Sequence, residues 1–187
     1  MSKPRKKRLV IAVTGTPGTG KTSVARLLAR RLKAKLVDLN ALILKKKLFE
    51  LDAAGERVAN LRKTWAAFAE VLKKSKGPVV VEGLLAHLLP KKYLTHVLVL
   101  RTRPKVLERR LKARGYSGLK LQDNLEAEAL GIILWEAVHK HGIERVYEID
   151  TTRLSPAKSV KTFLNALEGK VSLRPGKIDW LEEFYAS

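Results

Sequence analysis

Hydrophobic positions in this chain fall into two alternating patterns. Short unbroken apolar runs (Leu9-Val10-Ile11-Ala12-Val13, Val79-Val80-Val81 and His96-Val97-Leu98-Val99-Leu100) have the length and β-branched content of strands buried on both faces. Leu36-Val37-Asp38 and Arg145-Val146-Tyr147-Glu148-Ile149-Asp150 read as two further strands. Between these runs the apolar residues recur at helical spacing. Val24, Leu27, Leu28 and Leu32, with Arg31 on the same face, predict a helix ending near Lys33. Val58, Leu61, Trp65, Phe68, Val71 and Leu72 predict a second, starting at Val58 and closed by Gly77-Pro78. Its aromatic residues read as core rather than as a stacking platform. Arg103 to Arg114 is an arginine-rich helix stopped by Gly115. Leu119 to His141 reads as one long helix burying Leu121, Leu125, Leu130, Ile133, Leu134 and Val138, and Ser155-Pro156 opens a last one with proline in its first turn.

Strands alternating with helices predict an α/β architecture: three layers, with a central, mostly parallel sheet covered on both faces. Ligands of such sheets sit at the carboxyl ends of the strands. Five candidates fall at those ends: the glycine-rich stretch after Val13, then Asp38, Glu82, Arg101 and Asp150. The length of 187 residues suits a single domain. The segment from about Lys170, with Arg174-Pro175-Gly176 and Ile178 to Tyr185, reads as a loop and a short amphipathic piece that packs back on the domain.

Composition narrows the setting. No apolar run approaches the roughly 20 residues of a membrane span, and the basic stretch Ser2 to Arg8 leads into a strand, not a signal peptide. There are no cysteines, which excludes disulfides and thiolate metal sites. These features predict a soluble, cytoplasmic protein. The net charge of +20, from 38 Lys and Arg against 18 Asp and Glu, predicts attraction to polyanions such as RNA. A thermophilic surface would raise the acids along with lysine, and here they lag.

The chemistry begins at Gly15-Thr16-Pro17-Gly18-Thr19-Gly20-Lys21-Thr22, a full match to G-x-x-x-x-G-K-[ST] set between a strand and a helix. Backbone N–H groups can converge on phosphate oxygens only where no Cβ blocks the approach. The following helix offers free N–H groups and a partial positive charge. Lys21 is expected to reach the β- and γ-phosphates of a nucleoside triphosphate and the Thr22 hydroxyl to ligate Mg²⁺. No N-K-x-D guanine reader exists, and Asp52-Ala53-Ala54-Gly55 is a turn that matches D-x-x-G by chance spacing. A kinase division of labour fits better. Residues 38–60 then form an acceptor-binding insert and 113–123 a short lid. Arg110 and Arg114 supply cations over the transferring phosphoryl group.

Gly15 to Ser23, then Val99-Leu100-Arg101-Thr102, and above all Arg114-Gly115-Tyr116 with Lys120, Asp123, Asn124 and Glu128 resemble a known family. It is the adenylate-kinase-like ATPases of small-ribosomal-subunit maturation, the sixth adenylate kinase isoenzyme and its archaeal relatives. The resemblance covers roughly residues 9–167. It implies a P-loop nucleoside-triphosphate hydrolase fold of nucleotide-kinase type with a short lid, and adenylate kinase and ATPase activity with Mg-ATP, ATP and AMP giving ADP. It also implies work on the pre-ribosomal small subunit, through rRNA or a platform ribosomal protein. ATP contacts are implied at Gly15, Gly18, Thr19, Gly20, Lys21, Thr22, Ser23 and Arg114, with Arg153 near the adenine. Acceptor contacts are implied at Asp38, Lys45 and Gly83, and the metal at Thr22 and Glu82. Lys21, Arg110, Arg114 and Glu82 form the catalytic set.

Two departures stand out. Leu44, followed by Lys45, occupies the place of an acceptor-region arginine, and a lysine binds phosphate without the bidentate fork. Glu82-Gly83-Leu84 replaces an acid-x-His element, with His87 three residues further on. Two alternatives therefore stand beside the kinase: an RNA- or ribosomal-protein-binding assembly factor in which ATP switches shape, and a kinase for another small substrate. A chain this basic repels a basic partner unless acids cluster locally, at Glu182-Glu183 or around Glu126 and Glu128, so direct rRNA contact suits the charge better.

Overall fold

The computed structural model describes residues 8–53 and 55–186. The basic run from Ser2 to Lys7 lies outside these, and so does Ala54 of the predicted turn. In chain order, β1 (Val10–Thr14) leads to α1 (Lys21–Arg31), β2 (Lys35–Asp38) and α2 (Leu39–Lys45). A hairpin of β3 (Phe49–Leu51) and β4 (Arg57–Ala59) precedes α3 (Leu61–Lys74) and β5 (Val79–Glu82). After a 3₁₀ turn come β6 (His96–Arg101), α4 (Pro104–Lys112), α5 (Gly118–Ala129) and α6 (Ile132–His141). β7 (Val146–Asp150), α7 (Pro156–Leu167) and α8 (Leu181–Tyr185) complete the chain.

The five long strands form one parallel sheet in the order β2-β5-β1-β6-β7. Side chains alternate across a strand, so each strand divides its residues between two cores. Ile11, Val13, Val80, Leu98, Leu100 and Ile149 point to one side, where Val24, Ala25 and Leu28 of α1 and Val160 and Phe163 of α7 cover them. Val10, Ala12, Val37, Val79, Val81, Val97 and Val99 point to the other, against α2, Phe68 of α3, and Ile133, Leu134 and Ala137 of α6. That double coverage is why the strands read as continuous apolar runs rather than as alternating ones. Among the described residues no helix is long and apolar enough to cross a membrane.

Two elements differ from the sequence expectation. Val58 is not the start of a helix: it lies in β4, opposite Glu50, and is exposed. The helix begins at Leu61, where the Asn60 side chain caps it by accepting from the Lys63 N–H at 3.0 Å. The predicted helix from Leu119 to His141 is two helices, broken at Leu130-Gly131. Gly131 holds a φ of 65°, and a Cβ there would stand 3.3 Å from Nη1 of the buried Arg101. The break makes room for that guanidinium, a demand that a hydrophobic period cannot reveal.

Candidate active site

The P-loop turns from β1 into α1 at the carboxyl edge of the sheet. Gly15 has a φ of 142°, and a Cβ there would lie 2.4 Å from the Leu100 carbonyl oxygen, so only glycine fits. Gly20 caps α1 with a left-handed φ of 94° and no side-chain acceptor, and the space beside it is open. This concave face of uncapped amides suits an anion. Thr19 closes the loop on itself, donating from its hydroxyl to the Thr16 carbonyl at 2.9 Å. The Lys21 ammonium donates to the carbonyls of Gly15 and Thr16 at 2.8 and 3.0 Å. Burial pushes Lys21 down to about 8, against the pull of Glu82 and Glu128 and with a smaller push from Arg114.

Beside the loop, β2 and β5 place Asp38 and Glu82 in register at their carboxyl ends. Asp38 caps α2 through the Ala41 N–H at 2.9 Å. Glu82 is buried, and burial raises its pKa while a hydrogen bond from the Thr22 hydroxyl opposes that. A polar cleft of about 360 Å³ gathers Gly18, Gly20, Lys21, Thr22, Ser23, Asp38, Glu82, Arg114 and Tyr116. A second cleft, of about 210 Å³, lies on the other side of the loop, lined by Gly18, Thr19, Gly20, Ser23, Arg110, Arg114 and Thr151 among others. Gly18, Gly20, Ser23 and Arg114 border both.

Arg114 lies beyond the end of α4, in the bend before α5 that Gly115 makes with a φ of 81°. Leu107, Leu111 and Leu125, with Tyr116 and Phe184, form the small core under this bend. Arg110 sits one helical turn earlier, and its guanidinium donates to Gly18 O, Thr102 Oγ1, Thr151 O and Thr152 O at 3.3 to 3.4 Å. It stitches the P-loop to the ends of β6 and β7 while facing the smaller cleft.

A third cavity, of about 610 Å³, adjoins the polar cleft through Asn40 and Leu84. Ile43, Leu44, Phe49, Val58, Leu61, Leu85 and Leu88 make it apolar, and Arg57, whose guanidinium lies 5.0 Å from the centre of the Phe49 ring, is its cation. Sequence reasoning missed Asn40 and Arg57. Asn40 had a signal, lying two residues after Asp38. Arg57 had none, because its neighbours carry turn and helix spacing rather than a strand pattern.

The remaining sequence candidates fall elsewhere. Lys45 is exposed at the end of α2 and borders none of these cavities. Gly83 lies behind the cleft, where a Cβ would meet Leu39 Cβ at 3.2 Å. Arg153 is exposed beside Leu154, which does line the smaller cleft. Arg101 points inward, to Glu128 and Glu148, and Asp150 accepts from the Thr152 N–H at 2.8 Å. These two strand ends therefore leave the cleft to the P-loop, Asp38 and Glu82. His87 is buried behind β1, between the Thr14 hydroxyl at 3.0 Å and Glu136 at 2.8 Å, and does not stand in for the absent histidine.

A parallel sheet with the P-loop after its central strand and helices on both faces defines a P-loop nucleoside-triphosphatase fold of the nucleotide-kinase type. The fold recurs in shikimate kinase from Bacteroides thetaiotaomicron, with a TM-score of 0.60 at 21% identity over 86% of this chain and 98% of that one. It recurs again in a gluconokinase from Sinorhizobium meliloti, with a TM-score of 0.57 at 20% identity over 97% and 98%. Residues 11–131 match the family model described as an AAA domain. A protein of Pyrococcus furiosus named "Putative adenylate kinase" is 41% identical over 94% of this chain and 93% of its own length. One of the same name from Methanocaldococcus jannaschii is 33% identical over 94% of each. The chain belongs to this family of adenylate-kinase-like P-loop kinases.

Proposed function

We propose that this nucleotide kinase is a Mg-ATP-dependent adenylate kinase that also hydrolyses ATP, and that it works in cytoplasmic maturation of the small ribosomal subunit. The observation that carries the reaction is the placement of Arg114 on both clefts flanking Gly18, Gly20 and Ser23. A triphosphate chain laid along the α1 N-terminus has one end in each cleft, with Lys21 below it and Arg114 above. The smaller cleft takes the adenosine side, and the polar cleft takes the γ-phosphate next to the acceptor cavity.

The residues suit Mg²⁺ held in the kinase manner. Magnesium in such sites keeps several waters and takes few protein ligands. The Thr22 hydroxyl and, through water, the Glu82 carboxylate would hold it. When bound, the ion draws charge from the phosphoryl oxygens. Lys21, tethered to two P-loop carbonyls, and Arg114, exposed at the edge of both clefts, add positive charge there, so phosphoryl transfer needs chiefly alignment of the acceptor. Asp38 and Asn40 line the polar cleft where it adjoins the acceptor cavity, while Lys45 and Gly83 stand outside both linings. Arg110, expected over the transferring phosphoryl group, instead lines the smaller cleft and so, with Arg153, attends the adenosine side.

Initial rates of ADP formation from ATP alone, from ATP with AMP, and from ATP with an rRNA fragment test this reading. AMP-dependent ADP is the expected result, and its absence would remove the kinase. A second reading, an RNA-responsive switch, draws support from the +20 charge and from the apolar acceptor wall at Leu44 and Leu84. Stimulation by RNA without AMP supports it. Of the local acids, Glu128 is buried, Glu183 lies 3.4 Å from Arg103 and Glu126 accepts from Tyr185, which leaves the exposed Glu182 as the main acid to face a basic protein partner. A third reading, phosphorylation of another small apolar acceptor, would show as turnover with that compound and none with AMP.

Nucleotide affinity should depend on pH. With Lys21 at about 8, the free protein loses this cation as pH rises through that value, whereas bound phosphate favours the ammonium. Binding then takes up a proton above pH 8, so the ADP dissociation constant should rise about tenfold for each further unit of pH. Titration calorimetry at pH 7, 8 and 9 measures it, and a flat profile would separate Lys21 from the phosphates.

A further inference from the structure

One hydrogen-bonded path runs from the P-loop to the C-terminal segment. The Thr16 hydroxyl donates to Glu128 Oε2 at 2.5 Å. The other oxygen of Glu128 accepts from Arg101 Nε at 2.9 Å and from the Thr102 N–H at 2.8 Å. Arg101 Nη1 donates to Glu148 Oε1 at 2.8 Å, and Glu148 Oε2 accepts from the N–H groups of Gly176 and Lys177 at 2.9 and 3.2 Å. The Trp180 ring lies over the guanidinium, centred 5.1 Å from its carbon. The side chains of Arg101, Glu128 and Glu148 are only 1 to 3% exposed.

We infer that residues 174–186 form a strap that sets the shape of the first turn of the P-loop, and that strap docking and nucleotide binding are coupled through Glu148, Arg101, Glu128 and Thr16. This rests on the reading above, in which the loop takes nucleotide phosphates. Thr16 is where the path meets the chemistry. Its carbonyl accepts from the Lys21 ammonium and from the Thr19 hydroxyl, so its orientation fixes both. Glu128 holds that orientation from a helix which the strap, not the P-loop, touches from outside. α8 packs on α5, and Tyr185 donates to Glu126 two residues before Glu128.

The strap meets the path at two members, through backbone N–H groups on Glu148 and through an indole on Arg101. Lifting it takes two backbone donors from one carboxylate oxygen and opens that oxygen and one face of the guanidinium to water. Both changes loosen the hold on Glu128, because a guanidinium with two carboxylate partners cannot shift toward one without leaving the other. Coupling of this kind is reciprocal: what the strap does for the loop, an occupied loop does for the strap. Glu148, Arg101 and Glu128 are thus positioning residues that touch no substrate.

The test compares amide hydrogen exchange at Gly176 and Lys177 in the wild type, Thr16→Val and Thr16→Ser, all without nucleotide. Thr16→Val exchanges the donating hydroxyl for a methyl group of similar size and should speed both amides about tenfold, within the usual range of site-to-site coupling, while the serine restores the wild-type rate. Val80 and Val81 in β5, in the same sheet but off the path, should not change. Equal rates at Gly176 and Lys177 in all three proteins would overturn the relay, and so would an equal rise in β5, which marks general loosening. A second arm measures ADP affinity in Trp180→Ala, expected to weaken about fivefold, with Trp180→Phe near wild type. Unchanged affinity in Trp180→Ala would overturn the coupling. Wild-type protein that binds no ADP would remove the nucleotide reading instead, and the exchange arm would still decide the relay.

Discussion

Lys21→Ala should lower kcat for ADP formation by about a thousandfold, the scale on which a preorganised charge in a water-poor site acts. The ammonium donates to two P-loop carbonyls at 2.8 and 3.0 Å, which anchors it beside the α1 N-terminus and leaves its third N–H for a phosphate oxygen. Its partial desolvation strengthens the attraction to any oxyanion that replaces water there. Alanine removes the cation and leaves the loop glycines in place, so nucleotide affinity should fall far less than turnover. Lys21→Met keeps the bulk of the side chain and should fail equally, which separates charge from packing. The fold should not suffer: at neutral pH a buried lysine lowered to about 8 carries a charge that burial disfavours, so thermal midpoints should hold or rise. Stopped-flow single-turnover rates give the comparison. A variant within tenfold of wild type would show that phosphoryl transfer does not run through this loop.

The sheet was legible in the sequence because burial on both faces leaves unbroken apolar runs that little else produces, and Val79 to Val81 and Val97 to Leu100 are such runs. The P-loop was legible because its backbone geometry demands glycine, as the contact between a Gly15 Cβ and the Leu100 carbonyl makes plain. What remained hidden depended on partners distant in sequence. The β3–β4 hairpin has strands of three residues, and Val58 matched the helical spacing of the residues after it. Arg101 had the position of a site residue at the end of a strand. Its direction was set by Glu128, Glu148 and the break at Gly131, none of which a local window connects. The apolar cavity beside the polar cleft was hidden for a similar reason: its walls come from α2, the hairpin and the turn after β5, so Arg57 and Leu84 meet only on folding.

Arg101→Ala should have the largest effect on stability, about 3 to 5 kcal/mol, because it leaves Glu128 and Glu148 buried without their shared cation. Native stability of a domain is on the order of 5–15 kcal/mol, so one such change consumes much of it. The cost is not the worth of the ion pairs themselves. Desolvating three charges offsets most of their attraction, and the loss arises from what is left unpaired. The triple variant Arg101→Met, Glu128→Gln, Glu148→Gln should therefore unfold at a higher urea concentration than Arg101→Ala alone, despite carrying two more substitutions. Glu128→Gln keeps an oxygen for the Thr102 N–H, and Glu148→Gln keeps one for Gly176, so the tethers of α5 and the strap partly survive. Equilibrium urea unfolding of wild type, single and triple variants settles the order. A single variant within about 1 kcal/mol of wild type, the range of an exposed pair, would mean that solvent reaches these carboxylates. The P-loop would then lack the rigid neighbour that holds Thr16.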